Sequence, residues 1–431
     1  MEKKPVVSRT VLLPFILITS LFALWGFANA VTDPMVSAFK KVLELSNFQA
    51  SLVQMAFYGG YFTMALPAAF LIRKYSYKVG IIIGLALYAI GALLFYPAAV
   101  TQEFGFFLMG LYILTFGLAF LETTANPYIL SMGEEETATQ RLNLAQSFNP
   151  LGLLGGLFVA QQFVLKRLQS DDVDFASLPD SAKALIMQAD LLVIRNPYVI
   201  LGLVVILILV LIVINKMPEK IADKAKEPIL HLFRSLMTKP KYVMGVVAQA
   251  FYVGAQIMCW TYIYQYAEAI GIKAEVAGNY QFAAFVLFFL GRFTCTFLLK
   301  YINSGRLLMI LSAMAMVFIL GTVFITGVGG LYCLVIVSFC MSLMFPTIYG
   351  IALVGLSEDE SKIGAAGLVM AIVGGALMPA FQGMVLDLGG DGYADITILG
   401  VSEVNFSFIL PLVCFLFIAF YAQRVVSKYS G

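Results

Sequence analysis

Phe120-Leu121-Glu122-Thr123-Thr124-Ala125-Asn126-Pro127 sits in the middle of an apolar run over residues 104–132, long enough to cross a bilayer. A carboxylate at that depth costs roughly 2.5–3.5 kcal/mol on insertion scales. Three polar residues, Thr123, Thr124 and Asn126, and a proline follow it almost at once. Pro127 cannot donate to the carbonyl four residues back, so the backbone near Thr123 keeps a free acceptor. Such backbone is tolerated at membrane depth only where protein or a water-filled cavity covers it. The stretch therefore reads as a polar site buried inside a helix bundle. The alternative is an Asn-Pro kink whose Glu122 merely pairs with Arg141 or another helix.

Composition supports a membrane setting. The 431 residues are 61% hydrophobic and only 12% charged, with a mean hydropathy of +0.91. A soluble domain would have too few charges to cover its surface. The net charge of +2 is spread over short loops rather than one basic patch, which argues against a nucleic-acid partner. Cys259, Cys295, Cys333, Cys340 and Cys414 lie in apolar runs without a CxxC pair, so they read as small core residues. The single histidine, His231, lies in a polar connector. Metal ligation is not expected, and neither is a cofactor. Lys3, Lys4 and Arg9 precede the first apolar stretch, and no small-residue cleavage site follows it. That pattern predicts a first transmembrane helix rather than a removed signal peptide.

Twelve apolar spans are expected. Six run over 11–39, 48–72, 79–99, 104–131, 141–166 and 195–216. Six more run over 240–268, 276–299, 306–327, 330–355, 362–387 and 402–424. The organisation is thus an N-terminal six-helix bundle, 1–216, a charged connector, 217–239, and a C-terminal six-helix bundle, 240–431. An even count places both termini on one side. If the N-terminus is cytoplasmic, that side carries nineteen Lys and Arg against seven opposite, with Arg292 inside a span. The opposite loops are acidic, with Asp171, Asp172, Asp174 and Asp180 in one and Asp387, Asp391, Asp395 and Glu403 in another. The positive-inside rule puts both termini and the connector in the cytoplasm.

The halves repeat weakly at an offset near 220. Glu122 to Pro127 falls near Ser342 to Pro346, late in the fourth span of each half. Arg141 through Gly155-Gly156 falls near Gly364 through Gly374-Gly375, and Arg73-Lys74-Tyr75 falls near Leu299-Lys300-Tyr301. Six plus six spans with a polar connector is the layout of major facilitator transporters, whose site lies between the halves at mid-membrane. Gly59-Gly60, Gly155-Gly156 and Gly374-Gly375 would let helices approach closely.

The polar residues inside the spans define candidate ligands. Trp25, Asn29 and Asp33 are spaced i, i+4, i+8 and share one helix face. An indole, an amide and a carboxylate on one stripe suit a sugar, whose ring packs on an aromatic and whose hydroxyls bond the polar groups. The alternative places Asp33 at the outer interface beside Lys40 and Lys41. Span five opens with Arg141, Asn143, Gln146 and Asn149. Span seven carries Gln249, Gln256, Trp260 and Tyr264, the last three again on one stripe. Span eight carries Asn279, Gln281 and Arg292. Amides and aromatics without a central cation fit an uncharged polyhydroxy ligand. Arg292 is expected to snorkel to the cytoplasmic face or to lock a gate. Taking Trp25 as mid-span, Asp33 lies about 12 Å outward and Glu122 about 6 Å inward of the centre of its own span, so the acids are about 18 Å apart in depth. A glycosidase pair needs about 5–10 Å. The two acids are instead placed to be protonated at different stages of a transport cycle. No nucleophile–base pair or metal cluster is found at one depth, which argues against a membrane enzyme. The connector is too short for a sensor domain, and the clustered amides disfavour a multidrug or metabolite exporter.

Six stretches carry a family resemblance: Phe22-Ala-Leu-Trp25-Gly-Phe-Ala-Asn29, Ser46-Asn-Phe-Gln-Ala50, Ala56-Phe-Tyr-Gly-Gly-Tyr61, Leu121-Glu-Thr-Thr-Ala-Asn-Pro127, Arg141-Leu-Asn-Leu-Ala-Gln146 and Val253-Gly-Ala-Gln-Ile-Met-Cys-Trp260. With them the chain resembles the fucose–galactose–glucose:proton symporter branch of the major facilitator superfamily over nearly its whole length. The resemblance implies an all-α, twelve-helix protein of a bacterial inner membrane, acting as a monomer in the lipid bilayer. It implies import of a monosaccharide with a proton, with L-fucose the leading substrate and glucose or galactose, with H⁺ or Na⁺, the alternative. Asp33 and Glu122 then correspond to the two proton-coupling acids. Trp25, Asn29, Asn126, Gln146, Asn149, Gln256, Trp260, Tyr264 and Asn279 are the expected sugar contacts, and Arg141 and Arg292 the gating residues. Two features depart from the family. Arg73 stands where the superfamily's loop motif has an acid, and Asn29 is followed by Ala30 where a second Asn is common.

Overall fold

The computed structural model describes residues 6–43, 47–171, 178–218, 228–386, 388–389, 394 and 396–429. Nearly all are helical, as a chain of apolar runs in lipid must be, because each backbone group then finds its partner within its own segment. In chain order the helices are α1 (Leu12–Val42), α2 (Asn47–Lys74), α3 (Tyr77–Leu93), α4 (Phe95–Thr101), α5 (Phe104–Ser131), α6 (Ala138–Gln146), α7 (Asn149–Val159), α8 (Asp180–Ile214), α9 (Ile229–Thr238) and α10 (Pro240–Thr261). They continue as α11 (Ile263–Ala269), α12 (Ala274–Leu298), α13 (Ser304–Phe324), α14 (Val328–Met341), α15 (Met344–Leu353), α16 (Glu358–Met370), α17 (Gly374–Leu386), α18 (Glu403–Ser407) and α19 (Ile409–Tyr429). A two-residue hairpin, Thr397–Ile398 against Val401–Ser402, precedes α18.

Among the described residues, ten helical stretches are long and apolar enough to cross a membrane. Helix α2 and the pair α6–α7 fall where two further spans are expected. The ends carry the usual signals. Ser76 accepts from the Val79 amide at the start of α3. Ser357 and Glu360 close a reciprocal capping box on α16. Gly327 and Gly355 stop the chain at positive φ.

The helices group into two compact units. One comprises Arg9–Tyr128 and Phe148–Lys226. In it α1 lies against α7 with almost no side chain between the backbones. A Cβ on Gly152 would fall on the Ala23 carbonyl, and one on Gly26 would fall on the Asn149 carbonyl. Small residues allow this approach in lipid, where packing rather than hydrophobicity joins helices. Gly155, which the sequence paired with Gly156, has only the Phe27 ring near its Cβ position, at 3.9 Å. The close seam is therefore made by Gly152 and Gly156, one helical turn apart on a single face.

The other unit comprises Met1–Ser8, Ile129–Ser147 and Glu227–Gly431. Its α10 and α17 meet in the same manner, a Cβ on Gly374 falling on the Ala250 carbonyl. The same relation thus joins span one to span five and span seven to span eleven, which is the internal repeat seen as packing. Helix α6 belongs to this unit. Arg141 there is fully buried and donates to the carbonyls of Ile129, Leu130, Glu134 and Val6 and to Thr137 Oγ1. It caps the open carbonyls at the end of α5.

One expectation is corrected. The sixth span begins at Asp180 rather than at 195, since residues 180–194 carry a good helical pattern and continue α8 to 35 residues. Asp190 on that extension is fully buried and accepts from the amides of Gln169 and Ser170, pinning the segment before it. Pro127 lies inside α5, which runs on to Ser131, in keeping with the expected span over 104–131. A short helix, α9, forms within the connector.

Candidate functional site

Span five breaks between α6 and α7, span seven between α10 and α11 at Tyr262, and span ten between α14 and α15 at Ser342-Leu343. Interrupted helices at membrane depth are where transporters place polar ligands. The expected ligands cluster near these breaks, in two sets.

The first set lies in the unit built on α1, α2, α5 and α7. Trp25 is buried, stacks on Phe22 at 5.6 Å, and donates its indole N–H to Tyr61 Oη at 2.6 Å. Tyr61 is itself buried and packs edge-on to Phe57. Its hydroxyl lies within electrostatic range of the Glu122 carboxyl. Glu122 is 7% exposed, and its Oε2 is buried without a hydrogen-bond partner among the described residues. Thr124 and Asn126 turn their polar ends back onto the carbonyls of Phe120 and Glu122, one turn earlier in the same helix. Asn29, half-buried one turn from Trp25, has an Oδ1 without a partner among the described residues. Asn149 donates to the Phe22 carbonyl at 3.2 Å and so ties α7 to α1. Asp33 lies on the backbone of α1 two turns outward of Trp25, and its side chain, like those of Lys40 and Lys41, is outside the described residues.

The second set lies in the other unit. Trp260 donates to Ser338 Oγ at 3.1 Å and meets Phe285 and Phe288 edge-on at 4.8 and 5.1 Å. Arg292 sits over the same Phe288 ring at 5.0 Å and reaches Gln146 Oε1 at 3.5 Å. Arg292 is 2% exposed, so it does not snorkel. A flat guanidinium can rest on an aromatic face and stay inside, and its Nε has no partner. Gln256 and Tyr264 are half-buried, with Tyr264 donating to Gln281 Oε1 at 2.8 Å, and Asn279 is exposed. Asn143 joins α6 to α15 through Thr347 Oγ1 at 3.2 Å, and Ser147 meets Thr296 Oγ1 at 3.3 Å.

Sequence reasoning missed Tyr61, Phe288 and Ser338. Tyr61 closes the quoted Ala56–Tyr61 run, and Phe288 precedes Arg292 by one turn. Both signals were present, hidden among 36 Phe and 21 Tyr. Tyr61→Phe keeps the ring but leaves the Trp25 N–H without its acceptor, a loss of about 1–3 kcal/mol for a buried donor. The expected result is a shifted Trp25 emission in a Trp260→Phe background, together with severalfold weaker sugar binding. An unchanged spectrum would show that the bond contributes nothing.

A model of the Major Facilitator Superfamily matches residues 16–379. The chain belongs to the Major Facilitator Superfamily. Within that superfamily it is 55% identical over 426 residues to the L-fucose-proton symporter of Haemophilus influenzae, covering 97% of this chain and 98% of that protein. It is 32% identical over 413 residues to a glucose/galactose transporter of Brucella abortus, covering 94% and 92%. A crystal structure of a variant of the E. coli fucose:proton symporter FucP matches with a TM-score of 0.86 at 35% identity, covering 96% of this chain and 99% of that one. The chain thus shares the fold of a major facilitator transporter from end to end.

Proposed function

We propose that this protein is a proton-coupled monosaccharide importer of the inner membrane, working by alternating access, with L-fucose as its substrate. The observation that carries the reading is the Glu122 carboxyl, buried in a span beside the Trp25–Tyr61 pair with one oxygen unpartnered. An ionised carboxylate left unpaired in a dry bundle is expensive, whereas a protonated one is cheap to carry. Sugar binds the protonated form, the loaded protein turns inward, and loss of the proton to the cytoplasm weakens the hold on the sugar. Asp33 is the outer acid of the same cycle. Trp25 and Trp260 present flat faces to the sugar ring, while Asn29, Asn126, Gln146, Asn149, Gln256, Tyr264 and Asn279 contact its hydroxyls. Arg141 and Arg292 hold the cytoplasmic side shut. The working unit is a monomer of two six-helix bundles, 1–216 and 240–431, with both termini and the 217–239 connector in the cytoplasm.

The 55% identity to an L-fucose-proton symporter favours fucose over the sugars of the 32% relative. Uptake of labelled L-fucose, D-galactose and D-glucose into proteoliposomes at two external pH values, with and without sodium, tests the reading. The expected result is L-fucose accumulation that rises with external acidity and ignores sodium. Accumulation of glucose or galactose in preference to fucose would select the neighbouring specificity, and sodium dependence would replace the proton.

A further inference from the structure

The transport cycle leaves α9 unused, and its surface is unlike that of any loop. At 100° per residue nine of its ten residues divide into three arcs, with Ser235 between the first and the third. Leu232 and Leu236 form one arc, 2% and 1% exposed, and pack on α10 and α16. Ile229, Leu230, Phe233 and Met237 form the adjoining arc, and all four are exposed, Leu230 to 79%. His231, Arg234 and Thr238 occupy the third, also exposed.

The helix is held in place by chemistry independent of its apolar face. Ser235 Oγ donates to Glu360 Oε1 at 2.7 Å, and Lys239 Nζ reaches the same oxygen at 2.6 Å. The other Glu360 oxygen accepts from the Ser357 amide. One side is therefore fixed to the first turn of α16, and four large apolar side chains point away from the protein.

We propose that α9 lies in the headgroup layer of the cytoplasmic leaflet, with its Ile229–Leu230–Phe233–Met237 stripe sunk among the lipid chains and its basic edge against anionic headgroups. Two observations name the occupant. Residues 228–241 carry no acid; Lys239 is held by Glu360 and Lys241 by the Val354 carbonyl, and Arg234 stands exposed beside the apolar stripe, so the outward face offers a cation to an anionic lipid surface. Helix α9 also runs directly into Pro240, the first residue of the membrane-spanning α10. An apolar stripe beside a basic face, next to a span, is the pattern of a helix lying in the interface plane. The proposal is independent of which sugar is carried.

The test uses the full chain with a spin label at Phe233→Cys or, on the polar arc, at Thr238→Cys, with the half-buried Cys333 replaced by Ser. Sugar uptake serves as the folding control. Each protein is reconstituted in vesicles of phosphatidylcholine alone or with phosphatidylglycerol, and collision with oxygen is compared with collision with a water-soluble nickel chelate. Oxygen is expected to win severalfold at 233, nickel at 238, and the contrast to grow with phosphatidylglycerol. Arg234→Gln is expected to lower the phosphatidylglycerol retained on purification. Equal nickel access at 233 and 238 in both compositions would overturn the proposal and leave the stripe to a cytosolic partner. Deep insertion that ignores both lipid charge and Arg234 would overturn its anionic part.

Discussion

Proteoliposomes carrying Glu122→Gln are expected to lose uphill, pH-driven sugar uptake while still exchanging labelled for unlabelled sugar. A one-unit pH gradient moving one proton per sugar stores about 1.4 kcal/mol and supports about tenfold accumulation. With Gln at 122 the internal and external sugar concentrations should become equal. Gln keeps the size of the side chain and imitates the protonated acid, so binding survives where coupling does not. Glu122→Asp should retain some coupling, because it keeps the titrating group on a shorter stem. Undiminished accumulation in the Gln variant would remove Glu122 from the coupling role. The physical ground is the unpartnered Oε2: no cation or hydrogen-bond donor among the described residues takes up that oxygen, and a proton can.

Gly152→Val is expected to be the most damaging single change to the fold. Its Cβ would land on the Ala23 carbonyl, and the next contacts are also backbone of α1. Backbone cannot step aside as a side-chain tip does, so α1 and α7 must separate. Overpacking costs about 1–3 kcal/mol, occasionally more, and this site belongs at the upper end. The same displacement would move Trp25 and Asn29, which lie on α1 within two turns of Ala23, and break the Asn149 bond to Phe22. The checks are a thermal shift in detergent and the yield of folded protein in membranes. Gly155→Ala is the control: three residues away, it meets only a ring edge at 3.9 Å and should be tolerated. Equal behaviour of the two variants would mean that the seam is looser than drawn.

The sequence made some of this legible and hid the rest for identifiable reasons. Span positions follow from hydropathy because lipid allows few alternatives to helix. Glu122 stood out because a carboxylate is rare at that depth. The break at Tyr262 carries no sequence mark, whereas Pro150 in the first turn of α7 and Pro346 in the first turn of α15 stand just after the breaks at Ser147-Phe148 and Ser342-Leu343 and were not read as helix starts. Pro127 removes one backbone bond, that to the Thr123 carbonyl, and α5 runs through it to Ser131, as the apolar run over 104–131 implied. Snorkelling was one expectation for Arg292 because a lone cation inside a span has no evident partner in the sequence, which does not reveal the Phe288 ring it rests on. The start of α8 was missed because hydropathy falls before residue 195 while helical periodicity does not.

Both tryptophan N–H groups are already bonded to protein hydroxyls, Trp25 to Tyr61 and Trp260 to Ser338. On the sugar-transport reading the two indoles offer only flat surfaces, which grip any pyranose and are indifferent to the orientation of a single hydroxyl. Choice among epimers then falls to a few amides, which can be exchanged one at a time without disturbing the grip. A lineage built this way can change its diet by point mutation and keep its engine intact.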